Sequence, residues 1–203
     1  FGVYQTVPGE MRSALMAGEA PYDNVDAIFV SHMHPDHFEV LAIIAYLETH
    51  TETELYAPQQ AVDWMKEETD TANPIFDRVT GIALERLDQP DRFSRGELAI
   101  DANLVFRVSL PDGTTVMHMG DADPNLVHFV PHEDHWVAKR TGTAFPPYWF
   151  FLGGDGPLIL SETLNADHAI GLHVPIEIPA DLTASGADAL TIPGETRTLH
   201  HGE

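Results

Sequence analysis

Cysteine is absent from the 203 residues, which excludes disulfides, thiolate zinc sites, iron–sulfur clusters and a thiol nucleophile. Its absence does not fix a compartment, so localisation stays open between the cytoplasm and export. Long apolar runs are missing as well. The longest, residues 40–47, falls far short of the about 20 residues that a bilayer-spanning helix needs, so no integral membrane segment is expected. No basic, apolar leader opens the chain, which begins at Phe1 rather than Met; the natural N-terminus can therefore lie upstream. Positive charge is the scarcest commodity: Lys and Arg number 10 against 32 Asp and Glu, a net charge of -22. So acidic a surface repels phosphate backbones and anionic lipid headgroups, which argues against nucleic-acid or membrane binding. Bound divalent cations would relieve some of that repulsion.

What is present looks like an ordinary globular chain. Hydrophobic residues make up 43% and charged residues 21%, which argues against disorder, collagen and coiled coil. The length suits one domain with a sizeable core, or two very small ones. No repeat, low-complexity block or long linker divides it, so a single domain over 1–203 is expected. Its motif-bearing part covers about residues 22–178, and residues 179–203 read as an irregular tail rich in Pro, Gly and Thr. Histidine is over-represented, at 12 residues, and imidazole is the commonest protein ligand for transition metals.

Residues 25–30, Val-Asp-Ala-Ile-Phe-Val, form a nearly continuous apolar run that predicts a buried strand. Helical spacing of Phe38, Leu41, Ala42, Ala45 and Tyr46 predicts a helix over residues 36–49. Residues 55–57 read as a second strand, and Pro58 as the opening of a helix to about Glu68. Residues 104–108 and 114–118 flank Pro111-Asp112-Gly113, a hairpin signal. Further on, the pattern predicts an aromatic strand over 148–152, a short helix over 158–164 and a strand over 169–172. Strands interleave with helices throughout, so the class is α/β or α+β.

The chemistry concentrates in His32-Met33-His34-Pro35-Asp36-His37, three imidazoles and a carboxylate within six residues. At a strand end, residues two apart point the same way, so His32 and His34 can grip one cation from one side. Pro35 disfavours helix at His34 and suits a helix start beyond it, turning Asp36 and His37 toward a second position. This run resembles the hallmark of the metallo-β-lactamase superfamily. The likeness continues at Met119-Gly120-Asp121, and again at residues 169–175, which end in His173-Val174-Pro175. Phe38-Glu39 after the motif looks more like the ascorbate-phosphate lactonase and N-acyl-phosphatidylethanolamine phospholipase branch than like lactamases.

The resemblance implies a four-layer αββα sandwich, possible N-terminal incompleteness included, with ligand loops gathered at one edge of two sheets. It implies a first metal site with His32 and His34, a second with Asp36, His37 and His173, and Asp121 bridging them. Zn2+ is expected, one or two ions per chain, with Mn2+ or Fe2+ also compatible with His and carboxylate donors. The implied activity is hydrolysis of a small-molecule or lipid-like ester, lactone or phosphodiester by a metal-bound hydroxide, with Asp36 and Asp121 as the catalytic carboxylates. The family also places a His between the first motif and Gly-Asp, yet residues 51–117 contain none. Either segments are missing, most plausibly around Asp101-Ala102-Asn103, or the site is mononuclear or degenerate. A non-catalytic metal-binding or ligand-sensing protein on the same fold is therefore the alternative. A nuclease of this superfamily fits the acidic charge poorly.

Several other residues compete for roles. Asp26 either supports a metal-bound imidazole or caps local amides. His118 is a substitute third ligand or a core residue at a strand end. His128, His132 and His135 read as an exposed loop, pocket lining or a separate metal site. His168 reads as structural, His200 and His201 as tail. Ser31 lacks the Gly-x-Ser-x-Gly surroundings of a nucleophilic elbow.

Overall fold

A computed structural model describes residues 3–83, 94–95, 98–99 and 103–199. Two compact units divide the chain: Pro8–Leu104, and Phe1–Val7 together with Val105–Glu203. The Asp101–Ala102 part of the junction where a gap is expected lies outside the described residues, as do Phe1, His200 and His201.

The Pro8–Leu104 unit opens with helix α1 (Gly9–Ala17) and builds a parallel sheet in the order β1-β2-β3. Strand β1 is Ala27–Phe29, β2 Glu54–Pro58 and β3 Val79–Ile82. Parallel neighbours need a crossover, and helix α2 (Val40–Thr49) supplies it between β1 and β2. Helix α3 (Gln59–Glu68), with Pro58 as its N-cap, begins the connection from β2 to β3. Val40, Ile44 and Leu47 repeat at i, i+4 and i+7 on α2 and are buried. They meet Leu55 and Ala57 from one face of β2, and Ala61, Val62 and Met65 from α3, in one core. Each such aliphatic side chain contributes about 1.5–3 kcal/mol by leaving water. A short antiparallel pair, β4 (Ser94–Arg95) with β5 (Leu98–Ala99), completes the described strands of this unit.

Helix α2 begins later than its apolar spacing suggests. The His37 and Phe38 amides both donate to the His34 carbonyl, at 2.9 and 2.8 Å, closing a tight turn around Pro35. That turn uses residues 35–38 before helical pairing can start.

The second unit carries a four-stranded sheet in the order β6-β7-β8-β9. Strands β6 (Phe106–Ser109) and β7 (Thr115–His118) form the hairpin expected at Pro111-Asp112-Gly113. The Leu110 amide donates to the Thr114 carbonyl at 2.8 Å across its mouth. Strand β8 (Thr141–Phe145) joins β7 in parallel, and β9 (Ala166–Ala169) joins β8 in parallel. The sequence Thr-Gly-Thr-Ala-Phe lacks an apolar run, which is why β8 is not legible in it. Its glycine is required by close approach: a Cβ on Gly142 would stand 3.0 Å from the Thr115 carbonyl oxygen. The Gly142 amide donates to the Thr115 hydroxyl oxygen at 2.7 Å.

Two expectations are corrected here. Residues 148–152 do not form an aromatic strand; Tyr148–Phe151 is a 3-10 turn behind the N-cap Pro147, and only Phe150 of the turn is buried. Extended Pro147 ends the strand-like pairing with Leu172, and the helical turn starts directly behind it. The late strand also sits earlier than residues 169–172: β9 ends at Ala169, and beyond it isolated bridges join Gly171 to Ala189 and Leu172 to Pro147. Short helices α4 (Glu133–Val137) and α5 (Gly156–Leu158, running into a π turn over Ile159–Thr163) cover the core of Met117, Met119, Trp136, Ala144, Phe150 and Leu164. The tail is not wholly irregular, since α6 (Ala180–Ser185) forms after Pro179 and ends at left-handed Gly186.

Candidate metal centre

In the Pro8–Leu104 unit, the end of β1 runs directly into the histidine cluster. The Val30 amide is paired with the Tyr56 carbonyl at 2.9 Å, and the Ser31 carbonyl accepts from the Leu104 amide at 2.8 Å. Phe38, 2% exposed, anchors the far side of the loop in the core and lies edge-on to Trp64 at 5.8 Å. Between these anchors His32 Nε2 and His34 Nδ1 stand 2.7 Å apart, with ring planes 82° to one another. Two nitrogens in a tetrahedral zinc shell would be about 3.3 Å apart, given metal–nitrogen distances of about 2.0–2.1 Å. The two imidazoles therefore need only a small separation to share one ion.

Behind them, Ser31 Oγ lies 3.0 Å from His32 Nδ1, and both residues are only 2% exposed. When the hydroxyl accepts from Nδ1–H, the Nε2 lone pair is left for a metal ion. Ser31 is thus a member of the site that the sequence gives no reason to select, apart from its place before His32. The His37 ring lies 4.2 Å from that of His32, and its Nε2 is 4.0 Å from Asp36 Oδ2.

In the second unit, Asp121 and His173 come together despite their separation in sequence. Asp121 follows β7 in a turn closed by the Ala122 amide on the Met119 carbonyl, 3.2 Å. Gly120 in that turn has φ 55, left-handed backbone that glycine adopts without a Cβ clash. His173 Nε2 is 3.4 Å from Asp121 Oδ1. His173 itself has φ 59, so it sits in a left-handed kink rather than at the end of a regular strand. Two aromatic rings meet its imidazole, Tyr4 at 4.2 Å and Trp149 at 5.4 Å between centroids. No sequence signal points to Tyr4, and Trp149 lies in an aromatic run that reads as a core strand, with a substrate-pocket wall as the lesser reading.

None of the remaining candidates belongs to a group of metal-ion donors among the described residues. Asp26 is exposed just before β1. His118 ends β7, opposite Phe106 and Phe145. His128 pairs with Asp123 at 3.5 Å, while His132 and His135 rest their rings against Trp136; all three histidines are exposed. His168 is exposed on β9 and lines a cavity of about 330 Å³ with Thr143, Asp188 and Arg197. Arg197 grips Asp188 through Nε and Nη at 2.9–3.1 Å, which holds the Asp188 carboxyl below the usual range.

Histidine and aspartate side chains grouped as a metal ion requires occur among the described residues, on a mixed α/β framework. The chain matches the beta-lactamase superfamily domain over residues 5–124. That is more than half of its length, and the chain belongs to this superfamily. The matched region contains His32, His34, Asp36, His37 and Asp121, and stops before His173. A comparison with curated proteins finds no match. The fold is thus of hydrolase type, and among the described residues no helix is long and apolar enough to cross a membrane.

Proposed function

We propose that this chain is a metal-dependent hydrolase acting on a small or lipid-like ester, lactone or phosphodiester. The observation that carries this reading is the His32–His34 pair, two imidazole nitrogens 2.7 Å apart with the Ser31 hydroxyl behind the first. The donor set fits a borderline divalent cation such as Zn2+, one or two per chain, with Mn2+ or Fe2+ as substitutes. In this reading His32, His34, Asp36 and His37 would be the metal ligands of the Pro8–Leu104 unit, and Asp121 and His173 those of the second unit.

A divalent cation held there supplies Lewis acidity toward a carbonyl or phosphoryl oxygen and makes water more acidic. The chain supplies orientation and proton handling. Ser31 fixes the His32 ring, so the lone pair of Nε2 faces the ligand position. Asp36, the most exposed of the cluster, would accept a proton from the attacking water at a carboxylate oxygen and deliver it to the leaving group. The Asp121 carboxylate neutralises charge beside His173.

The test is elemental analysis of the purified full-length protein, beside turnover of a panel of aryl esters, lactones and bis-aryl phosphodiesters. Bound zinc, manganese or iron is expected, with hydrolysis of at least one class that His32→Ala and Asp121→Ala abolish. Absence of both metal and turnover after reconstitution refutes the reading. Metal without turnover would favour a non-catalytic metal-binding or ligand-sensing protein, the reading that the lack of histidine in residues 51–117 supports.

A further inference from the structure

Trp149 belongs to neither motif, yet it touches both members of the Asp121–His173 pair's surroundings. Its indole Nε1–H donates to the carbonyl of Ala122, the residue after Asp121, at 2.9 Å. Its ring meets the His173 imidazole at 67°, with centroids 5.4 Å apart. The turn that carries it is fastened to the same loop: the Tyr148 amide donates to the Leu172 carbonyl at 2.9 Å, and the Leu172 amide to Pro146 at 2.8 Å. Phe150, fully buried, holds that turn in the core. Trp149 itself is partly buried and packs against the core of its unit on one side.

His173 gives this arrangement a purpose. A non-glycine residue at φ 59 keeps that backbone only where its surroundings enforce it. Leu172 is pinned on both of its backbone groups, and the imidazole is met by the rings of Trp149 and Tyr4. We propose that Trp149 is a positioning residue, which fixes the Asp121 turn and the His173 ring in their paired arrangement before a metal ion arrives. The inference rests on reading Asp121 and His173 as ligands.

Side chains that orient metal ligands without touching the ion are worth roughly 10–100-fold in affinity. Trp149→Phe keeps an aromatic ring near His173 and removes the bond to Ala122; Trp149→Leu removes the ring as well. Zn2+ affinity is measured on the metal-stripped full chain by competition with a chromophoric chelator, and the apo melting temperature is recorded alongside. Trp136→Phe serves as the comparison, because it removes an equivalent indole bond, to the Phe129 carbonyl at 3.0 Å, inside the core of the same unit. Trp149→Phe is expected to weaken Zn2+ about tenfold and Trp149→Leu more, while Trp136→Phe lowers the melting temperature with affinity within about twofold.

A second readout does not depend on the variants that lose Trp149. In a Trp64→Phe/Trp136→Phe chain, Trp149 is the sole indole, and its emission is expected to change as Zn2+ binds. Equal affinities for wild type and both Trp149 variants overturn the proposal, and so does a Zn2+-insensitive emission should those variants not fold. Asp121→Ala and His173→Ala run in the same titration separate the two levels. If they weaken Zn2+ and the Trp149 variants do not, only the positioning role fails. If they too leave affinity unchanged, the ligand reading beneath it fails.

Discussion

Replacing Ser31 by alanine tests the histidine cluster at its least exposed point. The hydroxyl and the imidazole it meets are each in residues 2% exposed, 3.0 Å apart, so water cannot readily replace the lost partner. Removing one side of a buried hydrogen bond costs about 1–3 kcal/mol, which in a chain of this length lowers the melting temperature by roughly 2–12 °C. The second consequence is functional. With Ser31 Oγ accepting from Nδ1–H, His32 keeps its lone pair on Nε2, the nitrogen that faces His34. Without it, the proton can move to Nε2 and compete with a metal. A loss of 10–100-fold in affinity is expected, or about 1.4–2.7 kcal/mol, similar in size to the stability loss because both reflect the same bond. Zn2+ affinity by chelator competition and melting curves of the apo chain are the assays. Ser31→Thr retains the hydroxyl and should keep affinity within about threefold, even if its extra methyl lowers stability by roughly 1–3 kcal/mol. Wild-type Zn2+ affinity in Ser31→Ala would refute the argument.

Arg78→Met should be the most damaging substitution outside the candidate site, because the guanidinium donates to the carbonyls of Leu47, His50 and Thr53 and joins the end of α2 to the start of β2. We expect a loss of about 2–4 kcal/mol, read as the shift in the denaturant midpoint; less than about 1 kcal/mol would show those bonds to be redundant. Excess chelator added to protein of known metal content should lower the melting temperature, since saturation at about 100 times the dissociation constant stabilises by about 2.7 kcal/mol; an unchanged melt would count against bound metal as a structural element. Acid sensitivity should trace in part to Glu195, whose carboxylate accepts from the Thr191 and Ile192 amides at 2.6 and 3.1 Å, and to Asp188 beside Arg197. Both carboxyls are held below their ordinary values, by those amides and by the guanidinium respectively. Their contribution is therefore present above the ordinary carboxyl range and lost as pH falls through the lowered folded values. Relative to wild type, Glu195→Gln should show a shallower fall of melting temperature on acidification, and a parallel curve would exclude the role.

The sequence alone determined the elements whose cause is local. The run at residues 25–30 became β1, Pro58 opens α3, and Pro111-Asp112-Gly113 turns the β6–β7 hairpin, because apolar periodicity and fixed proline or glycine backbone act within a few residues. The superfamily was legible for the same reason: His32, His34, Asp36 and His37 lie within one strand end and one turn. Where local pattern and tertiary demand diverged, the sequence misled. The aromatic run at 148–151 looks like a strand by composition, but behind Pro147 it coils into a 3-10 turn that buries only Phe150. Strand β8 was hidden because Thr141 and Thr143 are buried polar residues whose place depends on the neighbouring strands. Only the tertiary structure brings Asp121 beside His173, kinks His173 into left-handed backbone and sets Tyr4 and Trp149 against its ring. Those contacts join residues distant in the chain, and no local preference encodes them; they exist because burial of the core around Met117, Ala144 and Phe150 leaves the loops one compact way to close.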